Sequence, residues 1–149
     1  MIEDEAIKSV VLSKINQAHY KGLNLAFEIV SPIGKPNMPL VDFIRILSIF
    51  MDNAIEAAQG TKDHLLQFSY FKDGNKTVLI VGNSLDDHSE KINLNQLYKL
   101  GSSNKGENRG TGLANVKQLI SRFPHLNLKT HRRTDYFRQT LEIWDEEID

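Results

Sequence analysis

The chain has 149 residues, about two-fifths of them hydrophobic, with 18 lysines and arginines against 19 aspartates and glutamates and no cysteine. That length suits one ordinary domain over residues 1–149 with a full core, and the balanced charge gives no general pull toward nucleic acid or an acidic membrane face. The missing cysteines exclude a disulfide framework and thiolate metal sites and fit a reducing compartment, and no apolar run approaches the roughly eighteen residues that span a bilayer, so a cytoplasmic location is expected.

From Glu3 to about Tyr20, Ala6, Ile7, Val10, Val11, Ile15 and Ala18 recur at the spacing of an amphipathic helix. "LNLAFEIV" (Leu23 to Val30) then alternates, with Leu23, Leu25, Phe27 and Ile29 on the apolar face of a half-buried strand. After a loop framed by Pro32, Pro36 and Pro39, "LVDFIRILSIFMDNAIEAA" (Leu40 to Ala58) predicts a long helix. Its apolar half-circle, from Phe43 to Ala58, must lie against a sheet. "HLLQFSYF", the turn "KDGNK" and "TVLIVGNS" read as a hairpin whose second, nearly continuous apolar strand is central.

Residues 85 to 109 show no sustained period, and a connection that long inside a compact domain is usually a functional lid or a disordered insertion. Leu113, Val116, Leu119, Ile120 and Phe123 then mark a helix, followed by Pro124 and two strand-like runs, "LNLKTHRR" and "FRQTLEIW". The tail "DEEID" is expected to fray. Pattern alone therefore gives three long helices and about five strands, an α+β arrangement.

Three places carry candidate chemistry. Gly110-Thr111-Gly112 immediately precedes a helix, whose unpaired N–H groups and partial positive charge suit a phosphate, and Lys105 and Arg109 lie just upstream to neutralise it. A mobile loop whose glycines merely allow a turn is the competing reading of that stretch. The P-loop pattern is absent, and Asn115 stands where a dinucleotide fingerprint needs its third glycine.

Asn53 falls at the edge of the long helix's apolar half-circle, sharing its side with Glu56 and Ala57, so its amide oxygen would emerge at the rim of the core, where it could ligate Mg²⁺, although taken alone it reads more readily as an ordinary boundary asparagine. Asp52 points to solvent on the same wheel. Asn83 ends a buried strand just before the long connection, and an amide there offers a donor and an acceptor to a base edge, although a turn residue reads equally well.

In this order, "FMDNAIEAA", "LIVGNS" and "GSSNKGENRGTGLANVKQLI" resemble the N, G1 and G2 boxes of the GHKL ATP-binding domain of sensor histidine kinases, and the resemblance covers nearly the whole chain. It is strongest to the quorum-sensing branch typified by the staphylococcal autoinducing-peptide receptor AgrC. That branch's pattern G-x-S-x-K-G-x-x-R-G-x-G-L is matched by Gly101, Ser103, Lys105, Gly106, Arg109, Gly110, Gly112 and Leu113.

The resemblance implies the two-layer α/β sandwich of the Bergerat (GHKL) fold: a mixed sheet of about five strands, three helices on one face, and an ATP lid at about residues 85–108. It implies ATP and Mg²⁺ as ligands. Asn53 would bind the Mg²⁺ that bridges the phosphates, and Asn83 would replace the aspartate that reads the adenine amino group. Lys105 and Arg109 would meet phosphates, and Gly110 and Gly112 would let the helix start approach them. Ala57, Gly101, Ser103, Gly106, Thr111 and Leu113 complete the implied nucleotide site, with Asn53 and Lys105 as the catalytic pair. Residues 102–108 are expected to be poorly ordered without nucleotide, beside a well-formed helix from Gly112.

The implied reaction moves the γ-phosphoryl of Mg·ATP to a histidine on the kinase's own dimerisation domain, and from there to a response regulator. The implied whole protein is a membrane-bound homodimeric receptor with this domain on the cytoplasmic side. No nucleic acid partner is expected, since alternating solvent-facing strand residues account for the basic run "HRRTDYFR". His19, His64, His88, His125 and His131 are scattered, read as surface or boundary residues, and none sits in a phosphoacceptor sequence.

Two positions depart from the family pattern. Ile49 replaces the polar residue four before the N-box asparagine, which is the water-activating glutamate in ATP-hydrolysing relatives, and so removes that route to hydrolysis. Leu85 replaces the glycine that follows the G1 acid, which implies a looser hold on adenine. A non-catalytic nucleotide-sensing module and an anti-sigma-type serine kinase share the boxes and stand as rivals.

Overall fold

A computed structural model describes residues 2–30, 34–86 and 107–145, the backbone alone for residues 107–111. Helix α1 (Glu5–Tyr20) starts at Asp4, whose Oδ1 accepts the Ile7 N–H at 3.0 Å, and it buries Ile7, Val11 and Ala18. Strand β1 (Asn24–Ile29) follows, then the long helix α2 (Leu40–Gln59). Strands β2 (Leu65–Asp73) and β3 (Lys76–Ser84) form the expected hairpin. Its tight turn pairs Asp73 with Lys76 around Gly74, whose φ of 62° a side chain would strain. Helix α3 (Glu107–Ile120), strand β4 (Leu126–Arg132) and strand β5 (Tyr136–Trp144) complete the domain.

The five strands lie in the order β1-β2-β3-β5-β4. β1 runs parallel to β2 and every other pair is antiparallel, so the sheet is mixed, with β3 at its centre as its apolar run predicts. Register pairs Phe68 and Tyr70 of β2 with Val81 and Leu79 of β3, and Leu79 with Leu141 of β5, while Leu66 and Ile143 lie on the same face. All are buried. The three helices cover that face: α2 buries Phe43, Ile46, Leu47, Phe50, Met51, Ala54, Ile55 and Ala58 against it, with the Phe43 and Tyr70 rings 5.7 Å apart.

The opposite face is held by charge. Glu142 of β5 accepts from Lys76 of β3, from Asn127 Nδ2 at 2.9 Å and from Lys129 of β4 at 3.4 Å. Those donors, the Lys76 ammonium first, pull the Glu142 carboxyl down to about 2.

Three expectations need correction. β1 is less covered than a half-buried interior strand. Its apolar face lies on the core side, with Leu23 buried, Ile29 packed on the core and the Phe27 ring stacked 5.4 Å from Phe68. Leu25 and Phe27 nonetheless remain 36% and 47% exposed, because the strand is at the sheet edge, where among the described residues no strand lies on its outer side. Asp52 does not simply face solvent, since its carboxylate takes Lys14 Nζ at 2.6 Å and fastens α2 to α1. His125 is no surface residue. It is buried between α3 and β4, and its Nε2 lies 2.6 Å from the Asn37 carbonyl while Asn37 Nδ2 donates to the carbonyls of Trp144 and Asp145.

Candidate functional site

Ile49, Asn53 and Ala57 form one stripe at i, i+4 and i+8 along α2, beside the buried stripe that faces the sheet. At Ile49 the stripe meets α3: a β-carbon on Gly112 would lie 3.5 Å from Ile49 Cγ2. One turn on, Asn53 is half-buried at the margin of the core, as its place on the helical wheel predicts, and one further turn on is the half-buried Ala57. The amino-terminal half of α3 is thus set within about one turn of Asn53.

The far end of the stripe is tied to the sheet. Thr61, just past the end of α2, places its Oγ1 2.6 Å from Ser84 Oγ, the last residue of β3. Asn83 precedes Ser84 and is only 3% exposed, on the same face of the sheet as Val81 and opposite Phe137 of β5. Its Nδ2 donates to the Ser84 carbonyl at 2.9 Å, which leaves Oδ1 as the amide's acceptor for an incoming amino group. α2 is therefore flanked by α3 beside Ile49 and by the carboxyl end of β3 beside Thr61, with Asn53 and Ala57 between them.

Close packing backs the strand end. A β-carbon on Gly82 would fall 2.2 Å from the Tyr136 hydroxyl and 3.0 Å from the Phe137 carbonyl, so only glycine lets the Tyr136 ring lie across β3 there. Burial raises the Tyr136 phenol above its ordinary value. Beyond the strand, the Leu85 N–H donates to the Asp135 carbonyl at 2.8 Å and Asp86 Oδ1 accepts the Lys62 N–H at 3.2 Å, so the exit from β3 is anchored on both sides.

Of the other expected site residues, Leu113 is buried on α3. Gly101, Ser103, Lys105 and Gly106 lie outside the described residues, as do residues 87–106 of the expected lid and the order expected at 102–106. Arg109, Gly110 and Thr111 have only their backbone described, and that backbone corrects the boundary: the helix begins at Glu107, so Gly110 and Gly112 sit within it rather than ahead of it, and residues 107 and 108 are helical. Two glycines each cost a helix roughly 1 kcal/mol relative to alanine. A methyl on Gly112 would meet Ile49 at an ordinary 3.5 Å, so the approach of α3 to α2 does not itself require glycine there. Sequence reasoning missed Thr61 and Ser84, which are 23 positions apart and share no motif.

A model of the family described as the GHKL domain matches residues 38–144. No curated protein sequence matches the chain. Among solved structures, the catalytic domain of histidine kinase ThkA in a nucleotide-free form superposes with a TM-score of 0.69 at 19% identity, covering 95% of this chain and 92% of that one. The Acinetobacter baumannii histidine kinase AdeS gives 0.65 at 16% identity, over 95% of this chain and 66% of that one. Full-length ShkA in complex with AMPPNP gives 0.68 at 17% identity, and there the match covers 91% of this chain but 28% of the other. A complex of ThkA with the response regulator protein TrrA gives 0.69 at 13% identity, over 98% of this chain and 41% of that one.

Proposed function

Because the chain belongs to the GHKL domain family, we propose that it is the ATP-binding catalytic domain of a two-component sensor histidine kinase. The observation that carries the reading is the place of Asn53 on α2, between Ile49, which α3 approaches, and Thr61, which is bonded to Ser84 beside Asn83. The fold likeness to ThkA and AdeS supports it, and the AMPPNP complex of ShkA supports an adenine nucleotide as ligand.

The donor set fits the nucleotide and its metal. Among the described residues no group of three or more histidines and carboxylates could cage a metal, so a cation here would take Asn53 Oδ1 from the protein and its remaining oxygens from phosphates and water, the usual habit of Mg²⁺. When bound, Mg²⁺ neutralises phosphate charge. Asn83 Oδ1 accepts the adenine amino group, and the backbone N–H groups at the start of α3 receive phosphate oxygens, with Lys105 and Arg109 adding charge. Ile49 supplies no proton acceptor for water, which suits a domain whose acceptor is a protein side chain. The γ-phosphoryl passes to an imidazole nitrogen of the kinase's own dimerisation domain, ADP leaves, and this chain contributes position and charge rather than a nucleophile.

On the spelling of the G2 pattern from Gly101 to Leu113 we extend the proposal to the peptide quorum-sensing branch, with this chain as the cytoplasmic part of a membrane-bound homodimer. A response regulator is the downstream partner, as TrrA is ThkA's in the solved complex. Calorimetric titration tests the site: Mg·ATP binds, and Asn53→Ala weakens it by about tenfold or more through the lost metal ligand. Equal binding by the variant, or no binding by the parent, defeats this assignment. Joining the domain to its histidine-bearing helices then yields acid-labile phosphohistidine.

A second reading is a nucleotide-sensing module without transfer. The apolar contact of Ile49 with α3 favours it, since nucleotide at the start of α3 would bear directly on α2. Binding without phosphohistidine selects it.

A further inference from the structure

β1 presents an open ladder at the edge of the sheet. In a parallel pair, the N–H and C=O of one residue point to the same side and successive residues alternate. The Asn24 N–H donates to the His64 carbonyl at 2.7 Å, on the β2 side. Asn24, Ala26 and Glu28 therefore turn their backbone groups to β2, and Leu25, Phe27 and Ile29 turn theirs outward. Among the described residues no strand pairs with that outer side.

The side chains along it are partly covered from the core side, the Phe27 ring stacking on Phe68 at 5.4 Å, yet Leu25 and Phe27 keep 36% and 47% exposure and Val30, just past the strand, 65%. Solvent-facing edges are ordinarily protected by lysine, proline, a bulge or an inward charge. β1 has one charge, Glu28, no proline, and an uninterrupted register with β2.

We propose that the outer edge of β1 pairs antiparallel with β1 of a second copy of this chain, joining the two sheets across a two-fold axis. Unpaired backbone donors and acceptors along an extended segment select a strand as occupant. The sequence of β1 selects itself. A two-fold through Phe27 sets Leu25 opposite Ile29 and Glu28 opposite Ala26; a two-fold through Ala26 sets Leu25 opposite Phe27 and Glu28 opposite Asn24. In either register apolar meets apolar, and the single carboxylate never faces its own copy. The pairing rests on no functional assignment. Six residues a side make a small contact, so a dissociation constant on the order of 100 μM is expected.

Sedimentation velocity over a concentration series, with amide exchange followed by NMR, tests it on the whole 149-residue chain. The expected result is a reversible dimer in which the Leu25, Phe27 and Ile29 amides gain protection with concentration, while those of Asn24, Ala26 and Glu28 are protected throughout. Leu25→Pro removes one outward N–H and leaves the β2 ladder intact; Phe27→Lys adds a guarding charge. Each raises the dissociation constant about tenfold or more, and unchanged far-ultraviolet dichroism establishes that the variant is folded. If Leu25→Pro unfolds, Phe27→Lys carries the test. A monomer up to millimolar concentration, a dimer without protection at those three amides, or protection that appears only when a different polypeptide is added would each overturn the pairing.

Discussion

Thr61 and Ser84 hold each other through a 2.6 Å bond between their hydroxyls, and the surrounding groups fix the direction of every proton in it. The Thr61 hydroxyl donates to the Ala58 carbonyl at 2.8 Å, so at Ser84 it must accept. The Ser84 hydroxyl therefore donates to Thr61 Oγ1, and Ser84 Oγ accepts the Leu65 N–H at 3.0 Å. The His64 N–H reaches Thr61 Oγ1 at 3.2 Å. Both hydroxyls are buried, and the pair sets the spacing between the end of α2 and Asn83.

Thr61→Val preserves shape and strands these partners. A loss of about 2–3 kcal/mol in chemical denaturation is expected, because buried groups left without partners cost more than the bond itself contributes. Combining it with Ser84→Ala should cost less than the two losses added, since both break the same bond. Full additivity would mean that the two hydroxyls are not coupled.

Gly112→Ala separates packing from ligand approach. The new methyl would meet Ile49 at 3.5 Å, an ordinary contact, so thermal stability should hold or rise by up to about 1 kcal/mol as a helical glycine is replaced. Mg·ATP affinity should change little, because the methyl faces Ile49 and Gly112 lies within α3, past the free N–H groups at its start. Parallel thermal melts and titrations check the pair of effects; a variant that melts earlier would show that the α2–α3 contact is tighter than the geometry states.

Asn83→Asp changes one atom beside the Ser84 carbonyl. The amide now donates there, whereas a carboxylate would face that carbonyl as acceptor against acceptor in a buried position. Without nucleotide the variant should lose about 1–3 kcal/mol at neutral pH and recover part of that loss in acid, as the carboxyl protonates and donates again. Denaturation at two pH values distinguishes this from a simple packing defect, which would not recover.

Glu142 makes the opposite face of the sheet acid-sensitive. Its folded value of about 2 lies below the ordinary 4.5, so the charged form is the one the fold prefers. The stabilisation is complete above about pH 4.5 and is lost as pH falls toward about 2, where the folded carboxyl also takes its proton. Glu142→Gln should be less stable at neutral pH and flatter across that window, with the two curves approaching each other near its acid end. Denaturation midpoints measured between pH 6 and roughly 2 check the sign; parallel curves would exclude Glu142 as the group responsible.

Much of this fold was legible because its elements differ in period. Phe43 to Ala58 repeats as a helix, Thr77 to Val81 is apolar on both sides as a central strand must be, and Asp73-Gly74-Asn75-Lys76 punctuates the hairpin. Asn53 and Asn83 were legible as candidates because one sits at the margin of an apolar stripe and the other at the end of a buried strand. The alternation of β1 gave the face that turns to the core, with Phe27 on Phe68, but not how far an edge position leaves Leu25 and Phe27 open, because alternation says nothing about how completely neighbours cover a face. The start of α3 was misjudged because glycine lowers helix propensity locally, while the helix forms beside α2, where Ile49, about sixty positions away along the chain, is the nearest side chain to Gly112. Thr61 with Ser84, and His125 with Asn37, are agreements between distant residues with no local signature.

The place of β5 bears on how the molecule is made. The last strand of the chain lies between β3 and β4, so the central apolar strand has only β2 beside it until residues 136–144 arrive. During synthesis, Thr77 to Val81 is an exposed and sticky border, and the strands before β5 must wait for a segment that emerges after all of them. Truncations that remove β5 should therefore yield insoluble chains rather than smaller folded ones, and slow insertion of this strand is the natural rate-limiting event in refolding.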